Sequence, residues 1–127
     1  MTTEEIHAKV FGLFDYQTDK ETFGFSEYWS SFADAVEKNE RFQGDCDNFA
    51  MTCAELASRN GFDPQTILLA LCWTETDEYH AVCIVGDTLM DNRYNAPFNW
   101  RRAPYRWDMA MRMSEPGVWR AMKVERS

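Results

Sequence analysis

Three residues of this chain have the types, and the order, that a thiol-based acyl-transfer site needs: Cys46, then His80, then Asp91. The cysteine lies in Gly44-Asp45-Cys46-Asp47-Asn48-Phe49-Ala50, where a polar turn passes into a helix. Asp45 is a good N-cap, so the helix is expected to begin there with Cys46 in its first turn. A thiol in that position feels the positive end of the helix dipole and nearby unpaired N–H groups, and both favour thiolate. The carboxylates of Asp45 and Asp47 act against this, so a neighbouring imidazolium is required. Each residue alone has an ordinary explanation: a buried free cysteine, a satisfied core histidine, an aspartate ending a strand. Their combination favours a triad.

The surrounding pattern supplies elements to position them. Residues 3–14 carry Ile6, Val10, Leu13 and Phe14 at helical spacing behind an acidic start. His7 lies in this acidic helix, where a solvated or capping role is expected rather than catalysis. Residues 18–24 read as a loop, and Ser26-Glu27 opens a second helix with Tyr28, Trp29, Phe32, Ala33 and Val36 on its apolar side, ending at Asn39. Phe49, Ala50, Cys53, Ala54 and Ala57 form one stripe with Cys46, and Asn60-Gly61 is a helix stop. Beyond it the period changes. Residues 66–73 form a continuous apolar run suited to a central strand covered on both faces. Residues 79–85 and 88–91 read as a hairpin about Gly86-Asp87. Residues 107–113 and 118–124 read as a second hairpin about Glu115-Pro116-Gly117.

The first hairpin has a geometric consequence. With Gly86 and Asp87 as the two loop residues, Val85 faces Thr88, Ile84 faces Leu89 and Val82 faces Asp91. His80 and Asp91 then become diagonal neighbours on one face, roughly 7–8 Å apart at the backbone. A three-residue loop would turn one of them over.

Composition narrows the remaining possibilities. The chain has 127 residues, 45% hydrophobic and 15% aromatic, which suits one folded domain over residues 1–127. No apolar run approaches the ~18 residues of a membrane span, and the N-terminus carries no secretory pattern, so a cytoplasmic protein with reduced thiols is expected. The four cysteines contain no C-x-x-C spacing, so no metal site is expected. Net charge is −8, which disfavours nucleic acid. Residues 1–92 carry 5 basic and 18 acidic side chains, a net of −13, whereas residues 93–127 carry 8 and 3, a net of +5. The basic part is expected to pack over the acidic part of its own domain. Its interleaved Trp100, Arg101, Arg102, Tyr105, Arg106 and Trp107 are expected to cover a sheet edge; stacking on bases is the other use of such a pattern.

The motif Gly44-Asp45-Cys46-Asp47-Asn48-Phe49-Ala50, followed by strands bearing His80 and Asp91, resembles the bacterial transglutaminase-like cysteine peptidases of the wider papain-like and transglutaminase-like superfamily. The resemblance spans about residues 40–95. It implies an α+β papain-like core, with the cysteine helix packed on an antiparallel sheet. It implies Cys46 as nucleophile, His80 as base and Asp91 as orienting residue, acting on a protein or peptide substrate without a cofactor. The oxyanion would be held by the Cys46 N–H and one further donor, for which Gln43 is the side-chain candidate. The family pattern usually has two acidic residues after the cysteine, and some relatives bind calcium with such residues; here the second position is Asn48. Transglutaminase or amidase chemistry at the same site is the alternative. A non-catalytic binding or structural protein of phage-type or host-interaction kind, retaining the fold, is the rival from another class.

Overall fold

Thr2 starts the first helix. Its hydroxyl accepts from the Glu5 N–H at 3.2 Å while the Glu5 carboxylate accepts from the Thr2 N–H at 2.9 Å, a closed capping box. Helix α1 (Thr3–Leu13) buries Ile6, His7 and Val10. The computed structural model describes residues 1–17 and 30–122, so the expected loop at 18–24 and the start of the second helix at Ser26 lie outside the described residues. The described part of that second helix, α2, is a short Ala33–Glu37 segment burying Ala33 and Val36. Asn39, at φ 58°, takes the chain out of it. Two three-residue strands, β1 (Phe14–Tyr16) and β2 (Phe42–Gly44), pair in parallel and were not evident in the sequence.

Helix α3 (Cys46–Arg59) is the centre of the packing. It buries Phe49, Ala50, Cys53, Ala54, Leu56 and Ala57, and the small residues let its backbone lie close to the sheet. Its end is a Schellman motif: the Phe62 N–H reaches the Ala57 carbonyl at 3.1 Å and the Gly61 N–H reaches that of Ser58 at 3.2 Å. Gly61 sits at φ 90°, where a side chain would be strained.

Among the described residues the main sheet has six strands in the order β6-β5-β4-β3-β7-β8. These are β3 (Ile67–Trp73), β4 (Tyr79–Val85), β5 (Thr88–Met90), β6 (Phe98–Asn99), β7 (Arg106–Arg112) and β8 (Trp119–Ala121). Strand β3 is flanked by antiparallel β4 and β7, the central place its apolar run predicts. Leu69, Leu71, Ala81 and Cys83 face the helices, while Ala70, Cys72, Val82 and Ile84 face an outer layer built by Tyr94, Phe98, Trp100, Tyr105 and Trp107. The aromatics of the basic segment therefore cover the sheet. Ion pairs tie the same segment to the acidic part: Arg93 to Glu75, Arg101 to Asp87 at 3.0 Å, and Arg106 to Asp77 at 3.8 Å. Such exposed pairs each contribute only ~0–1 kcal/mol; burial of the aromatic rings does most to hold the segment down.

The hairpin register is the expected one. Val85 pairs with Thr88, Ile84 with Leu89 and Cys83 with Met90, and Gly86 turns the chain at φ 62°. No helix among the described residues is long and apolar enough to cross a membrane.

Candidate active site

The geometry of the site begins with a glycine. A Cβ on Gly44 would lie 2.6 Å from the Asn48 Oδ1 and 2.7 Å from its Cβ, so only glycine lets Asn48 fold back over the end of β2. From there Asn48 Oδ1 accepts the Asp45 N–H at 3.1 Å and its amide nitrogen donates to the Ser30 carbonyl at 3.2 Å. This clamp holds extended Asp45 as N-cap (φ −110°, ψ −166°) and starts α3 at Cys46. The first N–H groups of a helix have no carbonyl partner within it, and half-buried Cys46 occupies the first position of α3. The other three cysteines, Cys53, Cys72 and Cys83, are buried free thiols. Burial pushes all three up, so they are poor nucleophiles.

His80 and Asp91 meet as the register requires. His80 Nε2 donates to Asp91 Oδ1 at 2.7 Å with both side chains buried. That leaves Nδ1 of the ring for Cys46. By strand parity His80 belongs with Val82 and Ile84 on the outer face, whereas Cys46 borders the helical layer. The two meet because residue 80 is the second residue of β4, at the strand end lining the same cleft as the start of α3. Burial opposes charge on this imidazole, but hydrogen bonds to Asp91 and to Cys46 outweigh it and push its pKa up to about 9.

Asp91 is held from several sides. Its Oδ1 also accepts the Arg93 N–H at 3.0 Å, and its Oδ2 accepts the Tyr105 hydroxyl. Tyr105 in turn accepts from Arg93 Nη1 at 3.1 Å, and its ring stands edge-on to that of His80 with centroids 5.7 Å apart. Burial would raise the Asp91 carboxyl, yet the His80, Tyr105 and Arg93 donors keep it below its ordinary value. Sequence reasoning took Tyr105 only as sheet cover. Nothing in its surroundings in the chain marks a hydroxyl that reaches back 14 residues.

A cleft of about 380 Å³ opens over these groups, lined by Tyr16, Cys46, Thr74, Glu78, Tyr79, His80, Asn92 and Arg93. Gln43 is exposed and does not line it. Strand register gives the reason: Gln43 pairs with Asp15, while Tyr16 pairs with Gly44 and shares a face with Phe14 and Phe42. The residue from this small sheet that reaches the cleft is Tyr16. Its phenol is pushed up by burial and by the negative charge of Cys46, Asp45 and Glu78, so it remains a hydroxyl donor at neutral pH. The expectation for His7 is corrected: it is 0% exposed, because it falls on the same helical face as Ile6 and Val10 rather than among the acidic residues.

Comparison with known proteins finds this fold elsewhere. The calcium-bound form of LapG from Legionella pneumophila has the same fold, with a TM-score of 0.73 at 16% identity, covering 98% of this chain and 70% of that one. EGTA-treated LapG matches with a TM-score of 0.73 at 15% identity, covering 96% of this chain and 66% of that one. A third LapG structure matches with a TM-score of 0.64 at 17% identity, covering 87% and 65%. The comparison with curated proteins returned no match. The profile of the bacterial transglutaminase-like cysteine proteinases spans residues 1–127, and the chain therefore belongs to that family of cysteine peptidase-like enzymes.

Proposed function

We propose that residues 1–127 form a single catalytic domain that hydrolyses a peptide or isopeptide bond through Cys46, His80 and Asp91. The observation that carries this reading is the buried imidazole joining Asp91, at 2.7 Å, to the one half-buried thiol of the chain. His80 takes the Cys46 thiol proton. The sulfur attacks the substrate carbonyl, and the developing oxyanion takes hydrogen bonds from the Cys46 N–H and from the Tyr16 hydroxyl, in place of Gln43. His80 gives its proton to the departing amine as the C–N bond breaks, leaving a thioester. Water then loses a proton to His80 and attacks that thioester, releasing the acid, and His80 returns the proton to the Cys46 sulfur. Asp91 stabilises the ring whenever it is charged and fixes its orientation.

The LapG structure named as calcium-bound raises the question of a cation beside the nucleophile. At the start of α3 the Asn48 amide and one Asp47 oxygen are already engaged. Asn48 stands at the second position after Asp47, with its amide oxygen used by Asp45 N–H and its nitrogen by Ser30, and Asp47 Oδ1 accepts the Asn48 N–H at 2.9 Å. Among the described residues no group of three or more His, Cys, Asp or Glu side chains could hold a metal ion. No step above passes through a cation.

The direct test is exposure of a diverse peptide library to the wild-type chain and to Cys46→Ala, with new N-termini read by mass spectrometry. Cleavages confined to the wild type support the reading. A wild-type digest identical to that of Cys46→Ala, with no labelling of Cys46 by a thiol-reactive probe, would overturn it.

A further inference from the structure

We propose that His7 is a positioning residue for the thiol site, holding the backbone of Asp91 from beneath. The two residues are 84 positions apart, and His7 Nε2 lies 3.0 Å from the Asp91 carbonyl oxygen in a buried contact. A carbonyl only accepts, so Nε2 carries the proton and Nδ1 is a bare lone pair. That Nδ1 is buried with no hydrogen-bond partner among the described residues. The ring is wedged between Phe11, stacked at 5.8 Å, and Phe49, edge-on at 5.6 Å.

A polar ring with one orphaned nitrogen is an expensive way to fill an apolar gap. Leucine would fill much of the same space without that cost. The donor at Nε2 is what leucine lacks, and it is aimed at the residue whose carboxylate orients His80. The Asp91 carbonyl does not depend on His7 for satisfaction, because the Tyr94 N–H also reaches it at 3.2 Å. Losing the His7 donor therefore leaves no orphan carbonyl. It frees the Asp91 backbone to rotate about the Tyr94 contact, and the carboxylate would move with it. Through this bond α1, which contributes nothing to the cleft walls, sets the angle at which Asp91 meets the imidazole.

The inference rests on Cys46, His80 and Asp91 acting as a thiol site, so its test reads Cys46 reactivity and does not need a substrate. The rate of Cys46 alkylation by iodoacetamide is measured against pH for the wild type, His7→Leu and His7→Gln, with thermal melts of all three and His80→Ala as reference. In the wild type the alkaline edge contributed by the His80 imidazolium is expected near pH 9. In His7→Leu this edge should fall by roughly one pH unit and neutral-pH alkylation should slow, while the melting temperature holds or rises because an unpaired buried nitrogen is gone. His7→Gln keeps an N–H at a similar reach and should recover the edge. A His7→Leu profile superimposable on the wild type overturns the inference, as does a folded His7→Gln that behaves like His7→Leu. If His7→Leu does not fold, His7→Gln with an unchanged melt but a lowered edge would overturn it, and an unchanged edge would support it. A wild-type profile with no edge removed by His80→Ala would instead sink the triad reading itself.

Discussion

Replacing Asp91 by asparagine removes a charge while keeping a side chain of nearly the same shape, and its effect can be worked out from the contacts. The His80 imidazole stands at about 9 in the wild type, against ~6.5 for an unperturbed ring. Burial works against the charged ring, so that elevation comes from Asp91 and Cys46 together. If Asp91 supplies most of it, the ring in Asp91→Asn titrates near or below ~6.5. At pH 7 the protonated fraction then drops from about 99% to about a quarter or less. The Cys46 sulfur loses its cationic neighbour, and the leaving amine loses its acid. A second cost arises at Tyr105, whose oxygen already accepts from Arg93. If the asparagine oxygen keeps the His80 bond, its NH₂ group faces Tyr105 and the phenolic proton has no acceptor, for ~1–3 kcal/mol of stability. The assay is the pH profile of Cys46 alkylation beside the thermal melt. Because the folded ring titrates above its unfolded value, its stabilising contribution is full below about pH 6.5 and lost as pH rises through about 9. The melting temperature of the wild type should therefore decline across that interval, and that of Asp91→Asn should be flatter there. An alkaline edge that stays near pH 9 in Asp91→Asn would refute the assignment of charge coupling to this pair.

Three further outcomes are expected. Tyr16→Phe should lower kcat of peptide hydrolysis by ~10- to 1,000-fold with little change in KM, the pattern of a lost oxyanion donor, whereas Gln43→Ala should stay near wild type; steady-state kinetics compare them. Gly44→Ala drives a methyl group into Asn48, 2.6 Å away at the oxygen, and should cost ~1–3 kcal/mol in chemical denaturation while loosening the start of α3. Addition of EGTA should leave both the melting temperature and the hydrolysis rate unchanged, because Asn48 Oδ1 and Asp47 Oδ1 already accept backbone N–H groups at the start of α3; a drop reversed by calcium would contradict that.

Much of the site was legible in one dimension because strand geometry has a strict period of two. Once Gly86-Asp87 was read as a two-residue turn, the positions of His80 and Asp91 on one face followed, and the observed register agrees. The helix bearing Cys46 was equally plain, since N-cap, apolar stripe and glycine stop all mark the same boundaries. What escaped notice was set by contacts between distant segments. Strands β1 and β2 are three residues each and, among the described residues, pair only with one another, too short for any periodicity to appear. Without that pairing Gln43 and Tyr16 cannot be assigned to opposite faces, and the sequence does not tell which of them lines the cleft. His7 was misread because acidic neighbours at positions 4 and 5 suggested a wet helix end, although residues 6, 7 and 10 form a single buried stripe. Tyr105 sits in a segment without regular structure, where only the folded chain reveals that its hydroxyl meets Asp91.

Helix α3 behaves as a lever pinned at its far end. Fourteen residues make a rod of ~21 Å. At one tip Arg59 grips Asp34, Glu37 and Glu55 beside the glycine stop; at the other sits the reactive sulfur. Substitutions around Arg59 can therefore reach the thiol only by tilting the whole rod, which the alanine-lined contact with the sheet resists. Surface charge at that pinned tip can be redesigned for solubility or heat tolerance while the chemistry at the opposite tip is left alone.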